Sequence, residues 1–108
     1  MLTFTVKGGS QPSYQVIATR NGDNLRITCT CRAGQNGQYC KHRFALLEGD
    51  ASILLSNNAD DLEKLKSLFT GTDVERRYSL LMLQTKQRDE LVERVKREKK
   101  ALAREMNY

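Results

Sequence analysis

The chain has 108 residues, of which 39% are hydrophobic and 29% are charged, and its formal net charge is +5. These values are typical of one small domain with an appended arm. The first residues lack the features of a secretory signal, and no stretch approaches the roughly 18 apolar residues of a membrane span. We therefore expect a cytoplasmic protein (nuclear in a eukaryote) without a membrane partner. The positive charge permits nucleic-acid binding without requiring it.

The first third of the chain is predicted to form strands. Alternation over residues 1–9 places Leu2, Phe4 and Val6 on one face of a strand. A turn is expected around Pro12, and the Asn-Gly dipeptide at positions 21–22 predicts a β-hairpin. The return strand, residues 25–31, places four side chains on one face by its period of two. These are Leu25, Ile27, Cys29 and Cys31.

The rest of the chain is helical in character. Residues 32–39 are predicted to be a loop, followed by a short helix that ends at Gly49, with Phe44 and Leu47 facing the sheet. Residues 50–58 fit either a brief strand or a helical turn. A compact amphipathic helix is expected from Asn58, as its N-cap, to Gly71.

A long helix is predicted at the carboxyl end. Thr72 and Glu75 have the spacing of a capping box, and no Gly or Pro interrupts the chain from there to about Met106. Heptad spacing from Leu91 to Val95 is interrupted at residues 98–99 and resumes at Leu102, which is a weak coiled-coil pattern.

All three cysteines and the one histidine lie within residues 29–42. Cys29 and Cys31 are two apart on a predicted strand, so their side chains point the same way, with Cα atoms roughly 6.6 Å apart. Cys40 belongs to the loop and His42 to the first helical turn, where the chain changes direction and both can converge on the first pair. Three thiolates and one imidazole then form a closed tetrahedral Zn²⁺ site.

Other interpretations of these four residues are weaker. Cysteine is often buried as a small hydrophobic residue without any chemistry. A catalytic zinc needs an open coordination position, whereas four good ligands fill the shell, and iron–sulfur clusters favour four cysteines. Nothing indicates a pocket or oxyanion hole for a Cys–His nucleophile pair. We therefore expect neither an enzyme nor a small-molecule substrate.

The spacing Cys29-x-Cys31, eight residues, Cys40-x-His42 resembles the SWIM-type zinc finger. The expected hairpin before the first pair and the short helix after His42 resemble it as well, over about residues 14–49. SWIM fingers occur in transposases, helicase-like ATPases, signalling proteins of ubiquitin-ligase type and recombination accessory factors. The resemblance implies a DNA-binding or protein-interaction module rather than an enzyme.

Together these elements predict an α+β fold. It consists of a small antiparallel sheet of two to three strands with a zinc-stapled short helix, followed by a short helix and a long C-terminal helix. The expected domains are a zinc-binding domain at residues 1–58 and a helical extension at residues 59–108 that can associate with itself.

Two functions fit this sequence, and the first is to bind nucleic acid or to serve a DNA-processing machine. Basic residues around the cysteines suit phosphate and predict nucleic-acid contacts, although solvated surface charge is the simpler explanation for each. The candidates are Arg26, Arg32, Lys41 and Arg43. The alternative is an adaptor or inhibitor that docks on a partner enzyme, with protein–protein contacts through the finger and through residues 74–108. This last segment can bind a partner protein or a second copy, although its charges also fit a solvated helix.

Overall fold

The structure is a computed structural model that describes residues 1–9 and 13–107. Three antiparallel strands form one sheet in the order β1 (Leu2–Lys7), β2 (Ser13–Asn21) and β3 (Asn24–Cys29). The register sets Phe4 opposite Val16 and Val16 opposite Cys29, so the apolar face predicted for each strand is continuous across the sheet. The turn predicted at Pro12 lies outside the described residues.

The hairpin between β2 and β3 has a two-residue turn. Asn21 pairs with Asn24, which leaves Gly22 and Asp23 as the turn residues. Gly22 has a φ of +62°, while Asp23 has no positive φ, and this combination is that of a type II′ turn. The predicted hairpin is confirmed, but Asn21 of the Asn-Gly pair ends the ladder instead of occupying the turn.

Helices follow the sheet, as the α+β prediction requires. Their bounds are α1 Arg32–Gln35, α2 Lys41–Leu47, a 3₁₀ turn Ala51–Ile53, α3 Asp61–Phe69 and α4 Asp73–Met106. The segment over residues 32–39 was predicted to be a loop, and the presence of α1 shows that this is wrong for its first half. Residues 50–58 combine both alternatives, since Leu54 beyond the 3₁₀ turn makes an isolated β-bridge with Val6.

The core lies between the sheet and the two short helices α2 and α3. Its buried residues are Phe4, Val6, Val16, Ala18, Cys29, Cys31, Cys40, Leu46 and Leu65. The prediction that Phe44 and Leu47 carry the buried face of α2 needs correction, because Leu46 is the buried side chain and the other two are half-buried. Leu46 lies one turn after His42, so both occupy the same side of the helix.

The segment after the 3₁₀ turn holds the outer strand in place. The Leu55 N–H donates to the Thr5 carbonyl at 2.8 Å, and the Thr5 N–H donates to Ser56 Oγ at 3.1 Å. Asn58 Nδ2 donates to the Thr3 carbonyl at 2.9 Å. Asn58 was predicted to be the N-cap of α3, but Asp60 occupies that position, and Asn58 Oδ1, the atom that would cap a helix, accepts from Ser56 Oγ instead.

The start of α4 is fastened by side-chain caps. The Glu75 N–H donates to Thr72 Oγ1 at 3.3 Å, so Thr72 caps the helix. Glu75 Oε1 accepts from the N–H of Gly71 at 3.0 Å instead of that of Thr72, which donates to the Phe69 carbonyl, so the predicted capping box forms in only one direction. Asp73 Oδ1 accepts from the Leu25 N–H at 3.1 Å, which ties this helix end to β3.

The contacts divide the chain into two compact units, Met1–Glu75 and the part of α4 that begins at Arg76. The boundary predicted after residue 58 concerns independent folding and stays a prediction. No helix within the described ranges is both long and apolar enough to cross a membrane.

Candidate metal centre

The first pair of cysteines lies where β3 gives way to α1. β3 ends at Cys29, so the prediction that Cys31 also belongs to the strand is wrong. The chain turns at Thr30, whose N–H still donates to the Gln15 carbonyl at 3.0 Å. Cys31 becomes the N-cap of α1, and its Sγ accepts from the Gly34 N–H at 3.3 Å. This hydrogen bond orients the Cys31 sulfur beside that of Cys29.

Gly34 allows α1 to fold tightly against the end of the strand. A Cβ at this position would lie 2.5 Å from the Cys29 carbonyl oxygen and 2.8 Å from Cys29 Cβ. Such contacts are too short for any side chain, and the conflict is with backbone that cannot rotate away. The close approach therefore requires glycine, for steric reasons rather than for its φ.

The second pair lies at the start of α2. Cys40 is the N-cap, with an extended backbone (φ −133°, ψ 114°), and His42 is in the first turn, as the sequence predicts. Because the chain bends at Cys40, both side chains point back toward the first pair. The ring of Tyr14 on β2 lies 5.1 Å from that of His42, centroid to centroid, and helps to hold the imidazole in place.

The structure brings together the four side chains selected from the sequence. The ligand atoms of Cys29, Cys31, Cys40 and His42 all lie within 4.8 Å of one another, and all four residues are buried. The sulfurs of Cys31 and Cys40 are 3.4 Å apart, and Cys40 Sγ is 3.6 Å from His42 Nδ1. Tetrahedral zinc with Zn–S of about 2.3 Å and Zn–N of about 2.0 Å requires separations of about 3.5–3.8 Å. The cluster therefore fits a tetrahedral ion.

The chemistry of the donors also fits zinc. The three cysteines are free thiols, and the 3.4 Å between Cys31 and Cys40 far exceeds a disulfide bond of about 2.05 Å. Zinc prefers thiolate and imidazole ligands, and four of them leave no position for a reacting water. Thus the arrangement suits a closed structural site.

The thiols of the cluster differ in acidity before a metal binds. Burial raises the pKa of Cys29 to about 12. Burial also acts to raise the pKa of Cys40, but it is outweighed by hydrogen bonds from the Arg43 backbone N–H, Cys31 and His42, which lower the pKa to about 6. Without a metal, Cys40 therefore ionises before Cys29. Binding of zinc must release the proton of the Cys29 thiol.

The imidazole of His42 presents Nδ1 to the sulfurs, at 3.9 Å from Cys29 Sγ. Its other nitrogen, Nε2, is buried and has no hydrogen-bond partner among the described residues. Coordination through Nδ1 would place the ring proton on Nε2. That N–H then stays buried without a hydrogen-bond partner, a cost that metal binding at Nδ1 has to offset.

The structure separates the four basic residues that the sequence analysis selected. Arg43 is half-buried, and its guanidinium donates to the Ile27 carbonyl at 3.2 Å and to the Gln38 carbonyl at 2.5 Å. It thereby ties β3 to the segment that leads into Cys40. The sequence could not indicate this role, since both partners are backbone carbonyls and Ile27 lies 16 positions away in the chain.

The other three arginine and lysine candidates are exposed. Arg32 and Lys41 directly follow Cys31 and Cys40 in the chain, so they stay close to the cluster. Arg26 pairs with Thr19 in the middle of the sheet, several residues from the metal end of β3. The structure therefore places Arg32 and Lys41 beside the cluster but leaves Arg26 apart from it.

Lys7 was missed by sequence reasoning. It is the last residue of β1, and it lines a cleft of about 330 Å³ together with Gly8, Gly9 and Lys41. The other lining residues are His42, Ala45 and Ile53, so none is acidic. The sequence offered no signal for this pairing, because 34 residues of chain separate the two lysines.

The closed thiolate–imidazole cluster, built on a hairpin and a short helix, defines this part of the chain as a zinc finger. Residues 5–48 match the SWIM zinc finger family, so the module is a SWIM-type zinc finger, and the predicted Zn²⁺ cofactor is confirmed. The match begins within β1, which extends the finger beyond the hairpin. No curated protein and no solved structure shows a significant match to the chain.

Proposed function

We propose that the finger is a non-enzymatic, zinc-stabilised module that binds the phosphate backbone of nucleic acid. Cys29, Cys31, Cys40 and His42 are the zinc ligands in this proposal. Their burial, with Cys40 only 1% exposed, leaves them no access to a substrate. Their role is to hold the surrounding surface in shape, and we place the protein in a reducing compartment, where thiolates persist.

The cleft of Lys7 and Lys41 carries the nucleic-acid proposal. Both lysines are exposed, and neither makes a side-chain hydrogen bond or ion pair with the residues that the structure describes. A cleft lined by two cations and by glycine backbone, without an acid, attracts an anion such as a phosphate group. Arg32 extends the positive charge around the cluster.

The matched segment is itself basic. Residues 5–48 contain six Lys/Arg and two Asp/Glu. Two of these cations, Arg20 and Arg43, are bound to backbone carbonyls. The remaining four are Lys7, Arg26, Arg32 and Lys41, and they are the proposed phosphate contacts. Arg26 is the peripheral member, since it lies away from the cleft.

The test is a titration of a short mixed-sequence DNA duplex at several salt concentrations. We expect the binding constant of the wild-type chain to fall steeply with salt. A plot of its logarithm against the logarithm of the salt concentration should have a slope of about −0.9 for each phosphate contact. Changing Lys7→Gln and Lys41→Gln together should make that slope shallower by about 1.8 and weaken binding at low salt.

The control removes the same charge elsewhere. Lys86→Gln with Lys100→Gln lies on α4, where both lysines are exposed, and should leave the slope close to that of the wild type. Zinc content and circular dichroism verify that each variant is folded. A wild-type chain without salt-dependent binding at low micromolar protein would contradict the proposal, as would an unchanged slope in the Lys7/Lys41 variant.

A second function is favoured by a different observation. α4 exposes apolar side chains, among them Leu91 at 56% and Leu102 at 55%. A protein adaptor that docks through this helix would use these residues rather than the cleft. Binding of a partner protein that persists in the Lys7/Lys41 variant but not after changes on α4 would support this alternative.

A further inference from the structure

The exposed apolar residues of α4 follow a seven-residue repeat. Counting a and d positions from Tyr78 along the helix selects nine residues, most of them apolar. They are Tyr78, Leu81, Thr85, Arg88, Val92, Val95, Lys99, Leu102 and Met106. The exposed fractions of Val92, Val95 and Met106 are 46%, 44% and 72%, so the stripe is open to solvent over residues 92–106. A helix in water gains most of its stability by packing such a face.

From this pattern we propose that α4 pairs with α4 of a second copy of the chain, in antiparallel orientation. A second copy is the occupant that the positions of the charges favour, because each polar residue of the stripe can face an apolar one of the partner helix. This inference concerns the helix alone and does not rest on the function proposed for the finger.

A parallel pair would oppose like charges. In register, Arg88 would face Arg88 and Lys99 would face Lys99 inside the seam, where both are desolvated. The flanking positions would not compensate, since Leu91 would meet Lys96 and Glu98 would meet Ala103 of the second copy. The charges therefore disfavour the parallel arrangement.

An antiparallel pair with full overlap removes these conflicts. The central residue of the overlap is then position 90, and the seam sets Arg88 opposite Val92 and Lys99 opposite Leu81. Sliding the helices by one heptad would set Arg88 opposite Lys99 in one direction and opposite the polar Thr85 in the other. Full overlap is therefore the register in which long cationic side chains can lie along apolar neighbours and extend to water.

Among pairs of charged residues, the flanks of this register contain one of opposite sign and one of like sign. Arg77 faces Glu105 of the second copy, an opposite-charge pair that occurs twice by symmetry. Asp89 approaches Asp89 of the second copy near the two-fold axis, which weakens the pair. Within its own helix Asp89 accepts from Arg88 at 3.1 Å, and this moderates the repulsion.

The oligomeric state of the zinc-loaded full chain tests the proposal. Light scattering and sedimentation over a concentration series should show a dimer, and Leu102→Glu should shift it to monomer. Leu83→Glu is the matched control, because Leu83 is equally exposed, at 54% against 55%, but lies off the stripe. A wild-type monomer at every concentration, or equal effects of the two changes, would overturn the proposal.

Orientation is tested by charge reversal. Arg77→Glu and Glu105→Arg should each weaken the dimer, and the double variant should restore it, because the pair forms between copies only when the helices are antiparallel. Asp89→Asn should strengthen the dimer by removing the repulsion at the axis. The antiparallel orientation would be refuted if the wild-type chain forms a dimer, the double variant does not regain the dimer, and Asp89→Asn does not strengthen it.

Discussion

Gly34 shows how one missing side chain shapes the metal centre. Its backbone lies so close to Cys29 that an added Cβ would be 2.5 Å from the Cys29 carbonyl oxygen. The same residue donates its N–H to Cys31 Sγ. It therefore positions both cysteines of the first ligand pair, although it binds no metal itself.

We predict that Gly34→Ala destabilises the finger by about 1–3 kcal/mol, the usual cost of forcing a methyl group into a packed site. Zinc should also be lost more readily to a chelator, since α1 has to move away from Cys29. Thermal unfolding followed by circular dichroism measures the first effect, and competition with a chromogenic chelator measures the second.

Gly9→Ala is the matched control for this change. A Cβ at Gly9 would meet nothing within 4 Å, and its φ is not positive, so stability should stay within about 0.5 kcal/mol of the wild type. Equal stability of Gly34→Ala and Gly9→Ala would show that the close approach at Cys29 is not needed.

At the scale of single residues, the ligands could be predicted and their supports could not. Four soft ligands gathered in one short segment already specify a zinc site by type and spacing. The roles of Gly34, Arg43 and Lys7 depend on which backbone atoms or side chains lie beside them in the fold. Such contacts between distant parts of the chain leave no local pattern in a sequence.

Among the elements, α1 and α2 show different limits of sequence reasoning. α1 has four residues, one of them glycine, so its intrinsic helix propensity is too low to predict it. It forms because Cys31 caps it and Gly34 fits against β3. The buried face of α2 could have been predicted from the sequence. Since His42 is an inward-pointing ligand, Leu46, four residues later, must point inward as well.

Arg20 links the turn between β2 and β3 to the end of α3. Its Nε donates to the Gly22 carbonyl at 2.7 Å, and its Nη1 donates to the Thr70 carbonyl at 2.8 Å. The first partner lies in the hairpin turn and the second is the C-cap of α3. A cation at this position satisfies a carbonyl that the helix leaves unpaired and interacts favourably with the helix dipole.

We predict that Arg20→Ala lowers the free energy of unfolding by about 1–3 kcal/mol, as is usual for the loss of hydrogen bonds from a charged donor. Chemical denaturation in the presence of zinc measures it. Arg26→Ala serves for comparison, because Arg26 is an exposed neighbour in the next strand and should change stability by less than about 0.5 kcal/mol. Similar losses in both variants would argue against the link between the turn and α3.

For the molecule as a whole, zinc is expected to decide whether the finger folds. Three ligands belong to the buried core itself, together with Phe4, Val16 and Leu46. Structural zinc contributes an apparent 10–16 kcal/mol in small fingers, about as much as or more than the roughly 5–15 kcal/mol by which whole domains are stable. Removal of the metal should therefore unfold the sheet.

We predict about one zinc per chain by elemental analysis and a loss of dispersed amide signals from the strands when a strong chelator is added. The signals should return when zinc is restored, which excludes irreversible damage as the cause. Cys40→Ser should reproduce the unfolded state without a chelator. A chelated chain that keeps its dispersed spectrum would contradict a structural role for the metal.

The α+β class and the order of the elements could be predicted at this scale, since each element has its own period and its own end signals. The attachment of β1 could not. The strand is held from outside by Leu55, Ser56 and Asn58, through hydrogen bonds that span about 50 residues. No local pattern indicates which segment will cover the edge of a sheet.

This attachment has a consequence for the order in which the molecule folds. The hairpin of β2 and β3 and the metal ligands involve only near neighbours in the chain, at most 13 residues apart within the cluster. Short loops close quickly and at a small entropic cost, whereas Thr5 and Ser56 lie 51 positions apart, so bringing them together costs more entropy. We expect a nascent chain to assemble its sheet and metal site first and to close residues 55–58 over the outer edge of β1 last.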